Sequence, residues 1–130
     1  SVKFALLITA SASNSEAPAT ALRFATAALN SGHSIYRIFF FRDGVQNANT
    51  YAIAPQDERN IPEAWQQFCL AHNIDATTCV SAALKRGIVD EKESQRWKKI
   101  GSNASAQIPI GGLGLLTDAI INSDRLITFG

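Results

Sequence analysis

Segments with the pattern of buried β-strands alternate along this chain with segments of helical period. KFALLIT, at residues 3–9, is a nearly unbroken apolar run of the kind found in strands buried on both faces of a parallel sheet. Residues 15–32 then repeat their apolar side chains at helical spacing, and SIYRIFFF, at 34–41, is rich in the β-branched and aromatic residues of strands. Because strands joined through helices pair in parallel, the alternation predicts a helix-covered parallel sheet.

The remaining sequence continues the same alternation. Ser15 is a candidate N-cap and Gly32 a candidate stop for the first helix, and Asn60 begins a capping-box-like sequence with proline in its first turn. Further elements are predicted as a strand at 73–80, helices at 81–86 and 91–99, a short strand near 106–110, a helix at 113–123 and a strand at 124–129. We therefore expect one α/β domain over residues 1–130, with a mainly parallel five-stranded sheet and helices on both faces.

Composition and charge exclude several classes of protein. Twelve basic and eleven acidic residues leave a net charge of +1, whereas direct nucleic-acid binding normally needs a clustered basic excess. No apolar run approaches the roughly 18 residues of a membrane span, and SVKFALLITA predicts a buried strand rather than a signal peptide because its apolar part is short. Two cysteines without C-x-x-C spacing favour a reduced, cytoplasmic protein.

Cys79 is the most reactive candidate, because it lies where the third predicted strand ends and a helix begins. Sites in open α/β sheets gather at the carboxyl ends of strands, and a helix N-terminus there favours a thiolate. Lys85 and Arg86 follow within two turns and would either add positive potential or face an acidic partner surface. Free cysteine is also among the most buried residue types, so a purely packing role stays open.

The other cysteine and the two histidines have ordinary explanations. Cys69 shares an apolar helical stripe with Trp65 and Phe68, which predicts a structural role. Cys69 and His72 are spaced to contact one metal ion, but no third or fourth ligand follows at a usable spacing, so no metal is predicted. His33 fits a surface turn, and its pairing with Cys79 through the fold stays open.

GGLGLL, at 111–116, does not support a nucleotide site. It lacks the third glycine of G-x-G-x-x-G, does not open the first strand–helix unit, and is not followed by the expected acidic residue. No Walker-type sequence is present either, and no cofactor is predicted. A tight entry into the last helix explains these glycines better.

Two further groups of residues leave alternatives open. The stretch at 42–60 is long for a connection, which suggests a functional loop or a short helix of its own. Within it, Arg42, Asp43 and Asn47 either bind a partner or satisfy the backbone of the turn. Trp97 and Ile100 stand in a polar context, where they either pack on the sheet or form a subunit contact.

Three segments in order resemble one known family. FFFRDGVQNAN at 39–49, CVSAALKRGIVDE at 79–91 and GGLGLLTDAIINSDRLITF at 111–129 together look like the DsrE/TusD family of small sulfurtransferase subunits, with the likeness strongest to its TusD members. The resemblance covers almost the whole chain. It implies a DsrE-like fold and a role for Cys79 as the residue that carries a persulfide sulfur.

The resemblance also implies a function and partners. Sulfur would arrive from a TusA-like donor and leave to a TusE-like acceptor, toward 2-thiouridine at the tRNA wobble position. Two smaller related subunits, TusB-like and TusC-like, would complete a dimer of heterotrimers, without a membrane or direct tRNA contact. The related DsrE role in dissimilatory sulfur oxidation and a non-catalytic scaffold are the alternatives. The departure from the family is ITASASNSEAPAT, at 8–20, an alanine- and serine-rich loop where other members often have glycine or proline.

Overall fold

Five strands form a single sheet in the computed structural model, which describes residues 1–130. The strands are β1 (Lys3–Ile8), β2 (Ser34–Phe40), β3 (Ala76–Cys79), β4 (Ile110–Gly111) and β5 (Arg125–Phe129). The helices are α1 (Ala17–Asn30), α2 (Ile61–Ala71), α3 (Val80–Lys85), α4 (Glu91–Arg96) and α5 (Gly114–Asn122), with a 3₁₀ segment at Arg42–Ala48. None of the helices is long and apolar enough to cross a membrane.

The sheet confirms the predicted architecture. Its strand order is β4-β3-β2-β1-β5, and every neighbouring pair is parallel. Because all five strands run the same way, their carboxyl ends lie along one edge of the sheet. The 3₁₀ segment also confirms that the 42–60 stretch contains a helix of its own.

One face of the sheet packs against α1 and α2. The aromatic centre of this core is Trp65, which is fully buried, meets Phe40 edge-to-face at 5.5 Å between ring centroids, and donates from Nε1 to the Pro18 carbonyl at 3.0 Å. Asn60 caps α2 as predicted, since its side chain accepts from the Glu63 N–H at 3.0 Å. Burial of these large apolar side chains supplies most of the free energy that holds the helices on this face of the sheet.

The opposite face carries α3 and α5, so helices cover both faces as predicted. α3 packs through apolar side chains on Phe39, whereas α5 buries only Ala119 and is held by polar contacts. Arg37 donates from Nη1 to Asp118 Oδ2 and to the Leu115 carbonyl, each at 2.8 Å, and Tyr36 donates to Asp118 at 2.7 Å. A carboxylate–guanidinium contact therefore fixes the position of α5.

Replacing Asp118 with asparagine is expected to make the free energy of unfolding depend less on pH in the acid range. Hydrogen bonds from Tyr36 and from Arg37 lower the pKa of Asp118. Because the pKa of Asp118 is lower in the folded chain than in the unfolded chain, its ionised form stabilises the fold. This stabilisation is fully present above the unfolded pKa of about 4 and is lost as pH falls through the folded pKa. Urea unfolding at a series of pH values should show that Asp118→Asn loses stability at neutral pH and converges with the wild type in acid. An equal loss at every pH would contradict this.

The boundaries of several elements differ from the prediction. The predicted strand at 106–110 is reduced to Ile110–Gly111, because Ser105 begins a turn in which its hydroxyl accepts from the Gln107 N–H at 3.1 Å. The N-cap of α1 is Glu16 rather than Ser15, whose hydroxyl accepts from the Ala17 N–H instead. The helix predicted at 91–99 ends at Arg96, since Lys98 adopts a left-handed conformation with φ 58°.

Candidate functional site

Cys79 lies at the carboxyl-terminal edge of the sheet, at the junction of two elements. It is the last residue of β3, where it pairs with Gly111 of β4, and it is also the N-cap of α3, with extended backbone angles of φ −60° and ψ 124°. The sequence placed it correctly between a strand and a helix. The pairing of β3 with β4 on one side and α3 on the other fix the position of the Cys79 main chain.

The Cys79 side chain is covered in the isolated chain. Its exposed fraction is 1%, and it belongs to an apolar cluster that also contains Phe39, Val45, Ala83 and Ile88. The one hydrogen-bond contact of Sγ is the hydroxyl of Ser81, 3.5 Å away, on a residue that is itself exposed. The thiol is therefore buried, with a polar and exposed neighbour on one side.

The two basic residues predicted to act on Cys79 lie at the other end of α3. Arg86 donates from Nε to Asp43 Oδ1 at 2.9 Å and from Nη1 to the Ala82 carbonyl at 3.0 Å. This side chain joins α3 to the 3₁₀ segment and caps the carboxyl end of the helix. Lys85 is the last residue of α3, at the opposite end from Cys79.

Of the polar residues after β2, Asn47 bonds to the backbone of the loops, whereas Asp43 accepts from Arg86. Asn47 is fully buried and donates from Nδ2 to the carbonyls of Ala10 and Gly44, at 3.2 and 2.9 Å. Its Nδ2 therefore ties the loop after β1 to the segment after β2, while its buried Oδ1 has no hydrogen-bond partner. Arg42 has φ 51° and places its guanidinium 5.8 Å from the ring centroid of Phe41.

Gly111 lies at a close approach between the last helix and the sheet. A Cβ at this position would lie 2.8 Å from Leu115 Cδ1 and 2.9 Å from Thr77 Cγ2. The sequence predicted glycines that permit a tight entry into the last helix, and at Gly111 this tightness comes from the two side chains rather than from a positive φ, which neither Gly111 nor the two glycines that follow it has. Glycine here lets α5 approach β3 beside Cys79.

The histidines do not pair with Cys79. His33 precedes β2 and its Nδ1 accepts from the Val2 N–H at 2.9 Å, while His72 follows α2 and its ring centroid lies 4.6 Å from that of Phe68. Both stand at the amino-terminal edge of the parallel sheet, opposite Cys79, so the possible cysteine–histidine pair is wrong. No three histidine, cysteine or acidic side chains are grouped so that they could hold a metal ion.

Cys69 is a packed thiol, as its place on the apolar stripe predicted. It is 2% exposed between α2 and the sheet, and burial raises its pKa to about 12. At pH 8 the thiolate of a group with that pKa is about one part in ten thousand, and the thiolate is the reactive form. In a Cys79→Ala variant, iodoacetamide at pH 8 should leave Cys69 unmodified until denaturant is added. Rapid labelling of the native variant would contradict this.

Two surface clefts flank this region, and Cys79 lines neither. A polar cleft of about 580 Å³ lies between residues 11–14 and the segment 49–62, so the unusual alanine- and serine-rich loop forms one of its walls. A second groove of about 700 Å³ is lined by Trp97 and Ile100. These two side chains are exposed, which excludes the alternative that they pack on the sheet.

Comparison with known proteins assigns the chain to a family. Residues 2–129 match the model of the DsrE/DsrF-like family. The chain belongs to the DsrE/DsrF-like family. The chain is 43% identical to DsrE of Allochromatium vinosum over 129 residues, which is 99% of both chains. It is also 41% identical to a sulfurtransferase TusD homolog of Pseudomonas aeruginosa over 117 residues, covering 90% of this chain and 89% of the relative.

Further DsrE/DsrF-like relatives agree with this assignment. Sulfurtransferase TusD of Salmonella enteritidis is 37% identical over 128 residues, covering 98% of this chain and all of the relative. The crystal structure of the ychN protein from Escherichia coli superposes with a TM-score of 0.76 at 21% identity, covering 99% and 100% of the two chains, and shows the fold alone. The prediction of a sulfurtransferase of this family is confirmed, while the similar identities to DsrE and TusD do not separate their pathways.

Proposed function

We propose that this chain accepts a persulfide sulfur on Cys79 and passes it to a downstream carrier for 2-thiouridine formation at the tRNA wobble position. The observation that carries the proposal is the place of Cys79, at the carboxyl edge of a parallel sheet in a member of a sulfurtransferase family. Cys69 lies in the core on the other face of the sheet and has no part in the reaction.

The reaction needs only thiol chemistry. The Cys79 thiolate attacks the outer sulfur of a donor persulfide, so a new S–S bond forms, the donor S–S bond breaks and the donor leaves as a thiolate. The thiolate of the acceptor then attacks the outer sulfur of the Cys79 persulfide and releases the Cys79 thiolate. Each step exchanges one S–S bond for another, so no external oxidant or reductant is required.

The surroundings of Cys79 offer one donor to an anionic sulfur. The Ser81 hydroxyl is 3.5 Å from Sγ, whereas the Cys79 side chain makes no cap bond to the amides of α3. A hydroxyl that donates to a thiolate or an anionic persulfide stabilises it through a charge-assisted hydrogen bond. Ser81 is therefore a positioning residue for the sulfur.

The burial of Cys79 favours a second candidate, a non-catalytic scaffold whose cysteine only packs. Attack on a persulfide needs an accessible sulfur, whereas the thiol is 1% exposed in the isolated chain. Under the relay hypothesis, binding of a partner displaces part of the cover over Cys79. The relay therefore predicts a thiol that reacts faster in the assembled complex, and the scaffold predicts one that stays inert there.

The pathway has a second candidate as well, because the 43% identity to DsrE of Allochromatium vinosum exceeds the 37–41% identities to the TusD relatives. In the DsrE-type role, the same sulfur transfer would serve dissimilatory sulfur oxidation. Neighbouring genes discriminate the two roles, since tRNA-modification genes would favour the first and a sulfite-reductase cluster the second.

The proposal includes a heteromeric complex in the cytoplasm. Its members would be TusB-like and TusC-like subunits in a dimer of heterotrimers, with a TusA-like donor, a TusE-like acceptor and no direct tRNA contact. Exposed apolar side chains on and around α5 and β5 support a subunit interface: Leu113, Leu115, Ile120, Ile121 and Leu126. Two free cysteines fit a reducing compartment.

Locating the transferred sulfur tests the proposal. The complex is incubated with a cysteine desulfurase, cysteine and the TusA-like carrier, and is then digested without reductant. No lysine or arginine lies between Cys69 and Cys79, so cleavage before Asp75 is used to separate the two cysteines. Mass spectrometry should find one added sulfur on the fragment with Cys79. Sulfur on Cys69 alone, or none while the carrier is demonstrably loaded, would contradict the proposal.

A further inference from the structure

A groove beside α3 and α4 exposes three large apolar side chains that the sulfur chemistry does not use. It has a volume of about 700 Å³, and its lining includes Tyr51, Trp97 and Ile100. Their exposed fractions are 63%, 58% and 103%. Single exposed apolar residues are common, but three that line one groove of a small domain indicate an interaction surface.

Hydrogen bonds from Asn103 hold the walls of the groove together. Its side chain donates to the Gly87 carbonyl at 3.2 Å and accepts from the Val89 N–H at 2.9 Å. Its carbonyl accepts from the Thr50 N–H at 2.7 Å, next to Tyr51. The wall that carries Tyr51 is therefore attached to the chain that follows α3, and the groove is formed before any partner arrives.

The indole of Trp97 is exposed and yet held in place. Its Nε1 donates to Glu93 Oε2 at 3.1 Å. The Ser94 hydroxyl donates to the Gly101 carbonyl at 2.6 Å, which fixes the segment between Ser94 and Gly101 that carries Trp97. A fixed aromatic side chain loses little conformational freedom when it is buried by a partner. Such rigid, partly exposed aromatic residues are typical anchors of binding surfaces.

The charges of the groove have one sign. Lys85 and Lys99 are its only charged lining residues, and no carboxylate lines it. Glu93, whose carboxylate accepts from Trp97 Nε1, is 7% exposed, is not part of the lining and pairs with Arg96 at 3.4 Å. An apolar floor with two cations complements an apolar side chain that has acidic neighbours.

We propose that this groove binds a segment of a partner protein in which an apolar side chain is flanked by aspartate or glutamate. That the partner is a sulfur carrier rests on the proposed function. Lys85 ends the helix that Cys79 caps, and six helical residues at 1.5 Å each separate the backbones of Lys85 and Cys79 by about 9 Å along the helix axis. A carrier anchored at the Lys85 end is therefore held one short helix away from Cys79.

Peptide binding tests the groove independently of sulfur transfer. The probes are fluorescein-labelled Asp-Glu-Phe-Leu-Glu-Asp, its polar counterpart Asp-Glu-Ser-Ser-Glu-Asp and its basic counterpart Lys-Arg-Phe-Leu-Arg-Lys. Fluorescence anisotropy with the wild-type chain should show saturable binding of the first peptide alone, weakened by added salt. Equal binding of the basic or the polar peptide, or no saturable binding of the first, would overturn the proposal.

Variants then locate the site. Trp97→Ala and Ile100→Ser should each weaken binding at least about tenfold, and the double change of Lys85 and Lys99 to glutamate should do the same. Ile53→Ser is the matched control, because Ile53 is 93% exposed and lines the other cleft. All five side chains are exposed, and only that of Trp97 bonds to a buried group, Glu93, so circular dichroism and thermal unfolding check that each variant is folded. Equal weakening by Ile53→Ser would overturn the assignment.

A transfer assay separates failure of the groove from failure of the relay. In the complex, Ile100→Ser should raise the carrier concentration needed for half-maximal loading about tenfold, with the same rate at saturation. Loading by a small donor, glutathione persulfide, should be unchanged. If wild-type Cys79 is never loaded by either donor, the relay is wrong while the peptide result still decides the groove. If loading occurs and Ile100→Ser behaves as the wild type, the groove proposal is wrong.

Discussion

Cys79→Ala is expected to reduce sulfur transfer to the acceptor to the level seen without this subunit. The proposed reaction passes through a persulfide on Cys79, and no other thiol lies near it, since Cys69 packs on the opposite face of the sheet. Alanine is the informative replacement because serine would place a hydroxyl in the apolar cluster around Phe39 and destabilise the fold. The measurement is the forwarding of ³⁵S from a loaded TusA-like donor to the TusE-like acceptor.

Cys69→Ala provides the matched control for this prediction. Both cysteines are buried and free, so the two replacements remove similar volumes and cost similar stability. Cys69→Ala should transfer sulfur at the wild-type rate while Cys79→Ala does not. If the Cys79→Ala complex transfers sulfur as fast as the wild type, the scaffold hypothesis replaces the relay.

Gly44→Ala is expected to be strongly destabilising, because Gly44 is the glycine whose added Cβ would meet backbone atoms at less than 3 Å. A Cβ on Gly44 would lie 2.0 Å from the Ile8 carbonyl oxygen and 2.7 Å from its carbon, both in the backbone of β1. A strand in the middle of the sheet does not yield as a flexible side chain does, so the 3₁₀ segment must move. We expect a loss of at least about 3 kcal/mol and a fall in Tm of roughly 10 °C.

Gly114→Ala tests whether this effect comes from the clash rather than from the loss of a glycine. Gly114 is the first residue of α5, and a Cβ there meets no atom within 4 Å. Alanine should stabilise the chain by about 0.5 kcal/mol, because it favours the helix and restricts the unfolded chain. Thermal unfolding of both variants checks the pair. A small effect at Gly44 would show that the approach to β1 is not tight.

The sequence predicted the fold well because its signals are local. Residues 34–41 indicate a strand and the Asn60 cap indicates the start of a helix without any information about residues distant in sequence. The alternation of strands and helices then indicates a parallel sheet. It did not predict the contacts of individual residues. The crowding of Gly111 by Thr77 and Leu115 depends on how α5 packs on the sheet, and the turn at Ser105 that shortens β4 is local but has no strong sequence signal.

The site was predictable in position but not in environment. The place of Cys79 between a strand and a helix follows from local pattern, whereas its burial depends on Phe39 and Val45, which are more than 30 residues away in sequence. Arg86 was predicted to act on the thiol, and its contact with Asp43 depends on how the 3₁₀ segment packs on α3. The likeness of three segments to a family supplied the chemistry, which charge and periodicity alone do not specify.

The pairing of β1 with β5 has a consequence for how the chain folds. Phe4 pairs with Arg125, so β1 gains this neighbour only after 121 further residues have been synthesised. Contacts of such long sequence separation close late and slow folding, because a large loop must be ordered first. Until β5 docks, β1 is a parallel edge strand with unpaired amides and carbonyls. Nascent chains therefore pass through an aggregation-prone stage that ends only when residues 125–129 leave the ribosome.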